Sequence, residues 1–237
     1  MTSSTFKQLL PSALCQLCRS PASNGFLCSD CKSELPYLPQ EQCQSCALPL
    51  PSDAALCPEC LASPPAFDST LACFHYRQPV AQWIHNFKYQ GNLGTGRLLL
   101  SELRQNIQTS KTPLPDLLVP IPMPRLRQWQ RGFNQTQWLA RQLSKSFNIP
   151  VCQALYAAST QQTQAGQPRK NRLKNKRHGF TIPMKKAVQF HGKHIALIDD
   201  VMTTGATLRN ASKILKDSGA CRVDLWIIAR TAKQNGK

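Results

Sequence analysis

The segment from Ile195 to Leu208 is the feature that most constrains the fold of this chain. It begins with four apolar residues, continues through two adjacent acids and a Thr-Thr-Gly turn, and then takes on helical spacing. This order predicts a buried strand, a loop and a helix. A loop of small residues that opens a helix directs backbone N–H groups and the positive end of the helix dipole at one point. The segment therefore predicts an anion site, and a phosphate group is its natural occupant.

The side chains around this loop favour a sugar phosphate as the ligand. Asp199 and Asp200 would repel a phosphate in contact with them, but carboxylates accept hydrogen bonds from vicinal hydroxyls a few ångströms away. A sugar phosphate carries both groups. An ordinary strand-to-helix turn with two solvated acids is the alternative interpretation. The predicted phosphate-binding residues are Thr203, Thr204, Gly205, Ala206 and Thr207.

The same segment closely resembles the 5-phosphoribosyl diphosphate (PRPP) motif of type I phosphoribosyltransferases. That motif is an apolar strand followed by two acids and a Thr-Thr-Gly-x-Thr loop. The resemblance implies that the loop binds the 5′-phosphate and that Asp199 and Asp200 hold the ribose 2′- and 3′-hydroxyls. The implied fold class is α/β, a type I phosphoribosyltransferase-like, mainly parallel sheet with flanking helices on both faces.

The first quarter of the chain contains eight cysteines in four Cys-x-x-Cys pairs. One pair points two thiolates at a metal ion and two pairs complete a tetrahedral site, so the pattern predicts two structural Zn²⁺ ions. Consecutive pairs sharing an ion is the simplest arrangement, and an interleaved one stays open. Redox chemistry is disfavoured because four redox motifs would leave this core-poor segment nothing to fold on. The predicted ligands are Cys15, Cys18, Cys28, Cys31, Cys43, Cys46, Cys57 and Cys60. The single cysteines expected to be buried are Cys73, Cys152 and Cys221.

Length and charge set the expected organisation. The 237 residues accommodate a small double zinc ribbon over residues 1–66 and a phosphoribosyltransferase-like domain over residues 67–237. We expect a cytoplasmic protein without membrane insertion, because no apolar run reaches the length of a bilayer span and the first residues do not resemble a signal peptide. Lysine and arginine outnumber aspartate and glutamate by 29 to 12, and the formal net charge of +17 favours polyanionic partners.

A second candidate ligand loop follows Asp116. The short buried strand that begins at Asp116 ends in three prolines, which stiffen the loop at its carboxyl end. Arginines, including Arg131, follow this loop. A doubly wound sheet places anion sites at such loops. A basic surface helix is the alternative interpretation. The predicted loop residues are Pro120, Ile121, Pro122 and Met123.

Apolar spacing predicts the elements around these loops. We expect a strand over Leu71 to Tyr76, a helix around Val80 to Lys88 and another over Leu98 to Ile107. Aromatic residues of the first helix, among them Phe87 and Tyr89, either stack nucleobases or pack on the sheet, and packing is the simpler interpretation. Further predicted elements are the helix Ala206 to Asp217 and the strand Val223 to Ala229.

A strongly basic segment from Thr160 to Phe180 lies between the two candidate ligand loops. Its charge prevents it from packing into a core, so it is either a disordered tail or a mobile flap. Its internal position between apolar segments favours a flap. The residues predicted to contact substrate or nucleic acid are Arg169, Lys170 and Arg172.

The order of all these features resembles the ComF family of bacterial competence proteins over essentially the whole chain. Zinc knuckles come first, then Val-Pro-Ile-Pro, then Arg-Gly-Phe-Asn-Gln at residues 131–135, then the two acids with their loop. The resemblance implies that residues 120–123 form a pyrophosphate loop. It also implies that the basic segment is a hood that closes over substrate, sometimes across a dimer.

Two functions follow from this resemblance. An enzyme would displace pyrophosphate from ribose C1, with Asp199 and Asp200 as catalytic residues that stabilise the sugar cation and Mg²⁺ bound together with PRPP. A binding protein would instead sense PRPP or grip single-stranded DNA during uptake, which the charge and the residues Trp129, Phe133 and Trp138 beside arginines favour. Other DNA-uptake proteins are then expected partners. A degenerate enzyme that serves only as a scaffold has no positive feature in its favour.

Overall fold

The computed structural model of this chain describes residues 13–22, 25–51, 54–124, 129, 131–157 and 179–232. The chain divides into two compact units, Met1–Pro36 and Tyr37–Lys237. The smaller unit contains the first two Cys-x-x-Cys pairs and the short helix α1 (Ser29–Ser33). The predicted hood contacts Arg169, Lys170 and Arg172 lie outside the described residues.

A four-stranded parallel sheet is the centre of the larger unit. In the strand Arg222–Arg230, all residues after Arg222 are buried, as is typical of a parallel sheet covered on both faces. This confirms the predicted α/β class with a parallel sheet. Side by side, the strands are β1 (Ser69–His75), β6 (Arg222–Arg230), β5 (His194–Met202) and β2 (Leu117–Pro120).

Helices lie between these strands, and the three predicted around residues 80–88, 98–107 and 206–217 are present. A short antiparallel pair, β3 (Tyr156–Ala157) and β4 (Phe180–Thr181), stands apart from the main sheet. None of the helices that the structure describes has the length and apolar character needed to cross a bilayer. The helices are α2 (Pro58–Ala62), α3 (Val80–Tyr89), α4 (Leu93–Thr109), α5 (Gln135–Phe147), α6 (Met184–Ala187), followed by a 3-10 turn (Val188–Phe190), and α7 (Ala206–Asp217).

Helices cover both faces of the sheet, as expected. Ile195 and Leu197 of β5 share an apolar cluster with Leu208 of α7. Asp200 lies an odd number of residues from Ile195 and Leu197 along the strand, and it contacts Gln135 at the start of α5. Since successive side chains of a strand point to opposite faces, α7 and α5 lie on opposite sides of β5.

The aromatic residues of α3 divide between core and surface. Trp83 and Phe87 are buried, which agrees with packing rather than nucleobase stacking, but the partner shown for Phe87 is helix α4 and not the sheet. Gly96 of α4 makes room for the Phe87 ring, since a Cβ at Gly96 would lie 2.6 Å from it. Tyr89, the last residue of α3, is exposed instead. The helices α3 and α4 therefore pack through Phe87, and the Tyr89 ring lies at the surface.

The cysteines of the second ribbon are part of the core of the larger unit. They share one apolar cluster with residues of β1, β5, β6 and α7. The structure therefore groups residues 37–66 with the parallel sheet, and a domain boundary at residue 66 stays a prediction from the sequence. The clustered side chains include Cys43, Cys46, Cys57, Cys60, Phe67, Ala72, Met202, Leu208 and Val223.

The three single cysteines differ in exposure. Cys73 and Cys152 are buried, as predicted. The prediction was wrong for Cys221, which is exposed. Cys221 lies in the short connection between α7 and β6, and apolar neighbours in sequence do not bury a residue at such a turn.

Candidate functional site

The predicted phosphate loop connects β5 to α7. Gly205, the residue before the helix, has a φ of +76°, in the left-handed region that favours glycine. A Cβ at this position would also lie 2.6 Å from Cε of Met202. The first N–H groups of a helix have no acceptor within the helix, and those of α7 point at this loop. The loop therefore requires glycine at 205 and has the geometry of an anion site.

A shallow cavity of about 40 Å³ opens at the start of α7. It joins Asp199 to four of the five predicted phosphate-binding residues. The fifth, Thr204, is hydrogen-bonded within the loop, where its hydroxyl accepts the N–H of Ala206 at 3.4 Å. The lining residues are Asp199, Val201, Met202, Thr203, Gly205, Ala206, Thr207 and Leu208.

The two adjacent acids have different surroundings. Asp199 lines the cavity, whereas Asp200 is only 3% exposed. Both carboxylate oxygens of Asp200 are already engaged: Nζ of Lys88 lies 2.7 Å from Oδ1, and Nε2 of Gln135 donates to Oδ2 at 2.8 Å. The alternation of side chains along β5 explains why the neighbours diverge. Ribose binding by both acids stays a prediction, and Asp199 is the acid that faces the cavity.

Asp199 titrates in an unusual range. Its burial and the negative charge of Asp200 raise its pKa to about 7, although the N–H of Asp200 and the charge of Lys88 act in the opposite direction. That N–H donates to Oδ1 of Asp199 at 2.9 Å. A cation placed beside Asp199 would lower this pKa again, because it favours the charged carboxylate. The site therefore contains a carboxyl group whose charge depends on its ligand.

The Arg-Gly-Phe-Asn-Gln segment ties the second candidate loop to these acids. Asn134 caps α5, because its Oδ1 accepts N–H groups from the first turn. The hydroxyl of Thr136 donates to the carbonyl of Ile121 at 2.7 Å, and Gln135 binds Asp200. The predicted pyrophosphate loop is thus positioned beside β5. Sequence reasoning missed this positioning role, although an asparagine just before an amphipathic helix is a recognisable cap signal.

Arg131 belongs to an exposed aromatic cluster. Its Nη2 donates to the hydroxyl of Tyr89 at 2.9 Å, and its guanidinium carbon lies 4.3 Å from the centroid of that ring. The ring of His85 lies 4.8 Å from the same ring. We call His85, Tyr89 and Arg131 the Tyr89 cluster. Substrate binding by Arg131 stays a prediction.

The other aromatic residues expected near nucleic acid separate in the structure. Phe133 and Trp138 both pack against Phe87, with ring centroids 5.6 and 5.3 Å away. Trp129 is exposed. Phe133 and Trp138 therefore fix the start of α5 against α3, whereas Tyr89 and Trp129 are exposed.

The eight predicted metal ligands form two separate clusters of four sulfur atoms. Within each cluster the sulfurs lie within 4.8 Å of one another. Tetrahedral zinc with Zn–S bonds of about 2.3 Å places its sulfurs about 3.8 Å apart, and Sγ of Cys46 lies 3.7 Å from Sγ of Cys57. Consecutive pairs share a site, so the interleaved arrangement is excluded. The clusters are Cys15, Cys18, Cys28 and Cys31, and Cys43, Cys46, Cys57 and Cys60.

The electrostatics of the second cluster also fit a bound cation. Burial raises the pKa of the Cys43 thiol, but N–H groups of Cys46 and Cys57 outweigh it and hold the pKa at about 7. Burial, together with the charge of Cys43, raises the pKa of Cys46 to about 11. Neighbouring thiolates disfavour one another's ionisation, whereas a bound Zn²⁺ favours the thiolate form of each. The donor set therefore matches a structural zinc site.

Known proteins share both halves of this architecture. A double zinc ribbon domain model matches residues 5–61, and a phosphoribosyl transferase domain model matches residues 137–237. Competence protein F of Haemophilus influenzae is 34% identical over 88% of this chain and 92% of its own length. The DNA utilization protein YhgH of Escherichia coli K12 is 32% identical over 92% and 97%.

A more distant relative is also similar over most of its length. Competence protein ComFC of Bacillus subtilis is 26% identical over 86% of this chain and 84% of its own length. The two family models span the eight cysteines of the zinc clusters and the loop between β5 and α7. The chain belongs to the family that contains competence protein F, ComFC and YhgH.

Proposed function

We propose that this protein binds PRPP with Mg²⁺ in the cavity between β5 and α7 and acts in DNA uptake or the use of external DNA. One observation carries the ligand: Asp199 lines the same cavity as Thr203, Gly205 and Thr207 at the start of α7. A carboxylate beside a helix N-terminus suits a molecule with vicinal hydroxyls and a phosphate. The printed names of the relatives, competence protein and DNA utilization protein, support the role in DNA handling.

Each part of the site has a task in this proposal. The N-terminus of α7 and the threonine hydroxyls hold the 5′-phosphate, and Asp199 accepts the ribose hydroxyls. The loop at residues 120–123, held by Thr136, faces the pyrophosphate. Mg²⁺, which prefers carboxylate and phosphate oxygens, neutralises pyrophosphate charge when bound. Such a pocket supports displacement of pyrophosphate from ribose C1, with Asp199 stabilising the positive charge that develops on the sugar.

Calorimetric titration of PRPP with Mg²⁺ into the zinc-loaded protein tests this proposal. We expect saturable binding, and a loss of at least about tenfold in Gly205→Ala, because the left-handed conformation disfavours a Cβ and that Cβ would meet Met202. Gly192→Ala is the matched control, since Gly192 has a φ of +68° but lies in open space outside the cavity. Absence of binding by the unaltered protein would refute the ligand. Equal binding by Gly205→Ala would refute its location.

Single-stranded DNA is a second candidate ligand, and the Tyr89 cluster is the observation that favours it. Tyr89 is 58% exposed, is covered on one side by Arg131 and lies against His85. Proteins bind single strands by stacking bases on aromatic rings beside cations that contact phosphates. The formal net charge of +17 supplies the general attraction for a polyanion. The cluster therefore has the composition of a base-stacking site.

Tyr89→Ala tests this second role. Loss of one stacking ring is expected to weaken oligonucleotide binding by about 1–3 kcal/mol in fluorescence anisotropy. Tyr156→Ala is the matched control, because Tyr156 of β3 is 44% exposed and also lies near a cation, Lys186 of α6. PRPP affinity should be the same in both variants. Equal loss of DNA binding in the two variants would show that stacking at the Tyr89 cluster is not specific.

A further inference from the structure

Arg230, the last residue of β6, is a buried arginine with an unusual set of partners. It is 7% exposed. Its Nη1 donates to the carbonyls of Met202, the last residue of β5, at 3.2 Å, and of Thr203, the first residue of the predicted phosphate loop. Its Nε donates to the carbonyl of Cys46 at 3.2 Å. One rigid guanidinium group therefore joins a zinc ligand to the phosphate loop.

The helix on the other side of the loop makes a second connection to the same ribbon. Nη1 of Arg209, in α7, donates to the carbonyl of Ser63 at 3.0 Å. Its Nη2 lies 3.9 Å from Sγ of Cys60 and 3.5 Å from a carboxylate oxygen of Glu59. Both ends of the phosphate loop are thus attached to residues of the second cysteine cluster.

Side-chain packing reinforces these hydrogen bonds. Met202 and Leu208, which line the cavity, belong to the apolar cluster that contains the four cysteines of the second site. The first cysteine cluster belongs to the separate compact unit Met1–Pro36. The first cluster, which also has four cysteine ligands but belongs to another unit, therefore serves as an internal control.

We infer that zinc in the second cysteine cluster positions the phosphate loop, with Arg230 as the positioning residue. A bound thiolate fixes the backbone of Cys46, the Cys46 carbonyl orients the guanidinium, and the guanidinium orients the carbonyls that precede the loop N–H groups. Zinc at this site and a ribosyl 5-phosphate at the loop then stabilise each other, because coupling between two binding sites is reciprocal. This inference rests on the proposed phosphate site between β5 and α7.

Site-resolved labelling of the full chain tests the coupling. The protein is equilibrated in zinc buffers, pulsed with N-ethylmaleimide and digested, so that mass spectrometry reports the zinc-free fraction of each cluster separately. Saturating ribose 5-phosphate is the probe. We expect it to reduce the zinc-free fraction of the second cluster about fivefold or more, the usual range of coupling between sites. The first cluster should be unaffected.

Variants of β6 show whether Arg230 carries the coupling. Arg230→Met should remove the effect of ribose 5-phosphate on the second cluster, and Arg230→Lys, which keeps the charge but has no planar fork, should restore little of it. Arg222→Met is the matched control, since Arg222 lies at the opposite end of the same strand and binds Asp224 at 3.0 Å. If the Arg230 variants do not fold, labelling of the unaltered protein still decides whether the phosphate loop and the second cluster are coupled.

The outcomes separate this inference from the function on which it rests. If ribose 5-phosphate binds in calorimetry but leaves the second cluster unchanged, the coupling is refuted and the phosphate site stands. If it does not bind, calorimetry with PRPP and Mg²⁺ decides the phosphate site, and hydrogen exchange without ligand decides the coupling. In the zinc-loaded protein, faster exchange at residues 202–207 in Arg230→Met than in Arg222→Met supports it, and equal exchange in the two variants refutes it.

Discussion

Chelation of zinc is expected to unfold the parallel-sheet domain together with the ribbon that precedes it. The four cysteines of the second site are buried in the same cluster as residues of β1, β5 and β6. Zinc binding in zinc-finger peptides contributes on the order of 10 kcal/mol, which equals the whole stability of many domains, about 5–15 kcal/mol. Its loss from this cluster therefore leaves little to hold the sheet, whereas a zinc module folded by itself would unfold alone.

Hydrogen exchange in β5 and β6 measures this effect directly. Cys57→Ser should remove most of the protection in these strands, because it opens the second site. Cys28→Ser is the matched control: both cysteines cap a short helix and accept an N–H at their sulfur, but Cys28 belongs to the unit Met1–Pro36. We expect that control to leave β5 and β6 protected. Full protection in the chelated protein would show that the sheet is stable without its zinc.

The features predicted correctly from the sequence are those that contiguous residues determine. The helix after the acids runs from Ala206 to Asp217, as its apolar spacing indicated, because Gly205 and the strand before it fix its start. The ligands of the two zinc sites follow from the spacing of Cys-x-x-Cys pairs, since a knuckle is a local structure. The sequence could not decide between consecutive and interleaved pairs, because that choice depends on how the knuckles come together.

The features that the sequence did not reveal depend on contacts between distant residues. The alternation of side chains along β5 separates Asp199 from Asp200, but it does not reveal that Asp200 binds Gln135, which is 65 residues away. Arg230 directly follows the predicted strand Val223 to Ala229, and its partner Cys46 is 184 residues away. No periodicity or motif in one chain reports such pairs. They are also the contacts that join the zinc ribbon, the acids and the phosphate loop into one site.

The variant Asp199→Asn is expected to weaken PRPP binding at least about hundredfold without loss of folding. A hydrogen bond to a charged group contributes about 1.5–3 kcal/mol, and a ribose diol offers two hydroxyls to this carboxylate. The amide of asparagine has one acceptor oxygen and no charge to attract the cation that accompanies the ligand. Calorimetry with PRPP and Mg²⁺ measures the loss, and ribose 5-phosphate without Mg²⁺ shows how much of it belongs to the sugar.

The pH dependence of binding provides a second test of Asp199. With its pKa raised to about 7, Asp199 becomes protonated below neutral pH and then donates where it must accept. The affinity for PRPP should therefore fall below pH 7, by at most about tenfold per pH unit. The Asp199→Asn variant has no group to titrate and should lack this component. A pH profile that is identical in the two proteins would contradict the assigned role.

The same raised pKa predicts a change in stability. Because the folded state binds the proton more tightly than the unfolded chain, the stabilisation from the neutral carboxyl is complete below the ordinary value of 3.8 and is lost as the pH rises through about 7. Asparagine remains neutral at every pH. Asp199→Asn should therefore raise the free energy of unfolding at pH 8 by about 2 kcal/mol, allowing for solvent at this half-buried group. The gain should vanish below pH 4.

Asp200→Asn, the same substitution one residue later, should have the opposite effect on stability. The carboxylate of Asp200 accepts from Lys88 and Gln135 at once, and an amide must turn its NH₂ group toward one of these donors. Loss of one partner from a buried ion pair costs about 3–5 kcal/mol, and because Lys88 retains some contact with water we expect about 2–3 kcal/mol here. Adding Lys88→Met should recover part of that cost, since it removes the unpaired charge. If Asp200→Asn instead keeps full stability and loses PRPP as Asp199→Asn does, then Asp200 turns toward the ligand and both acids bind the ribose.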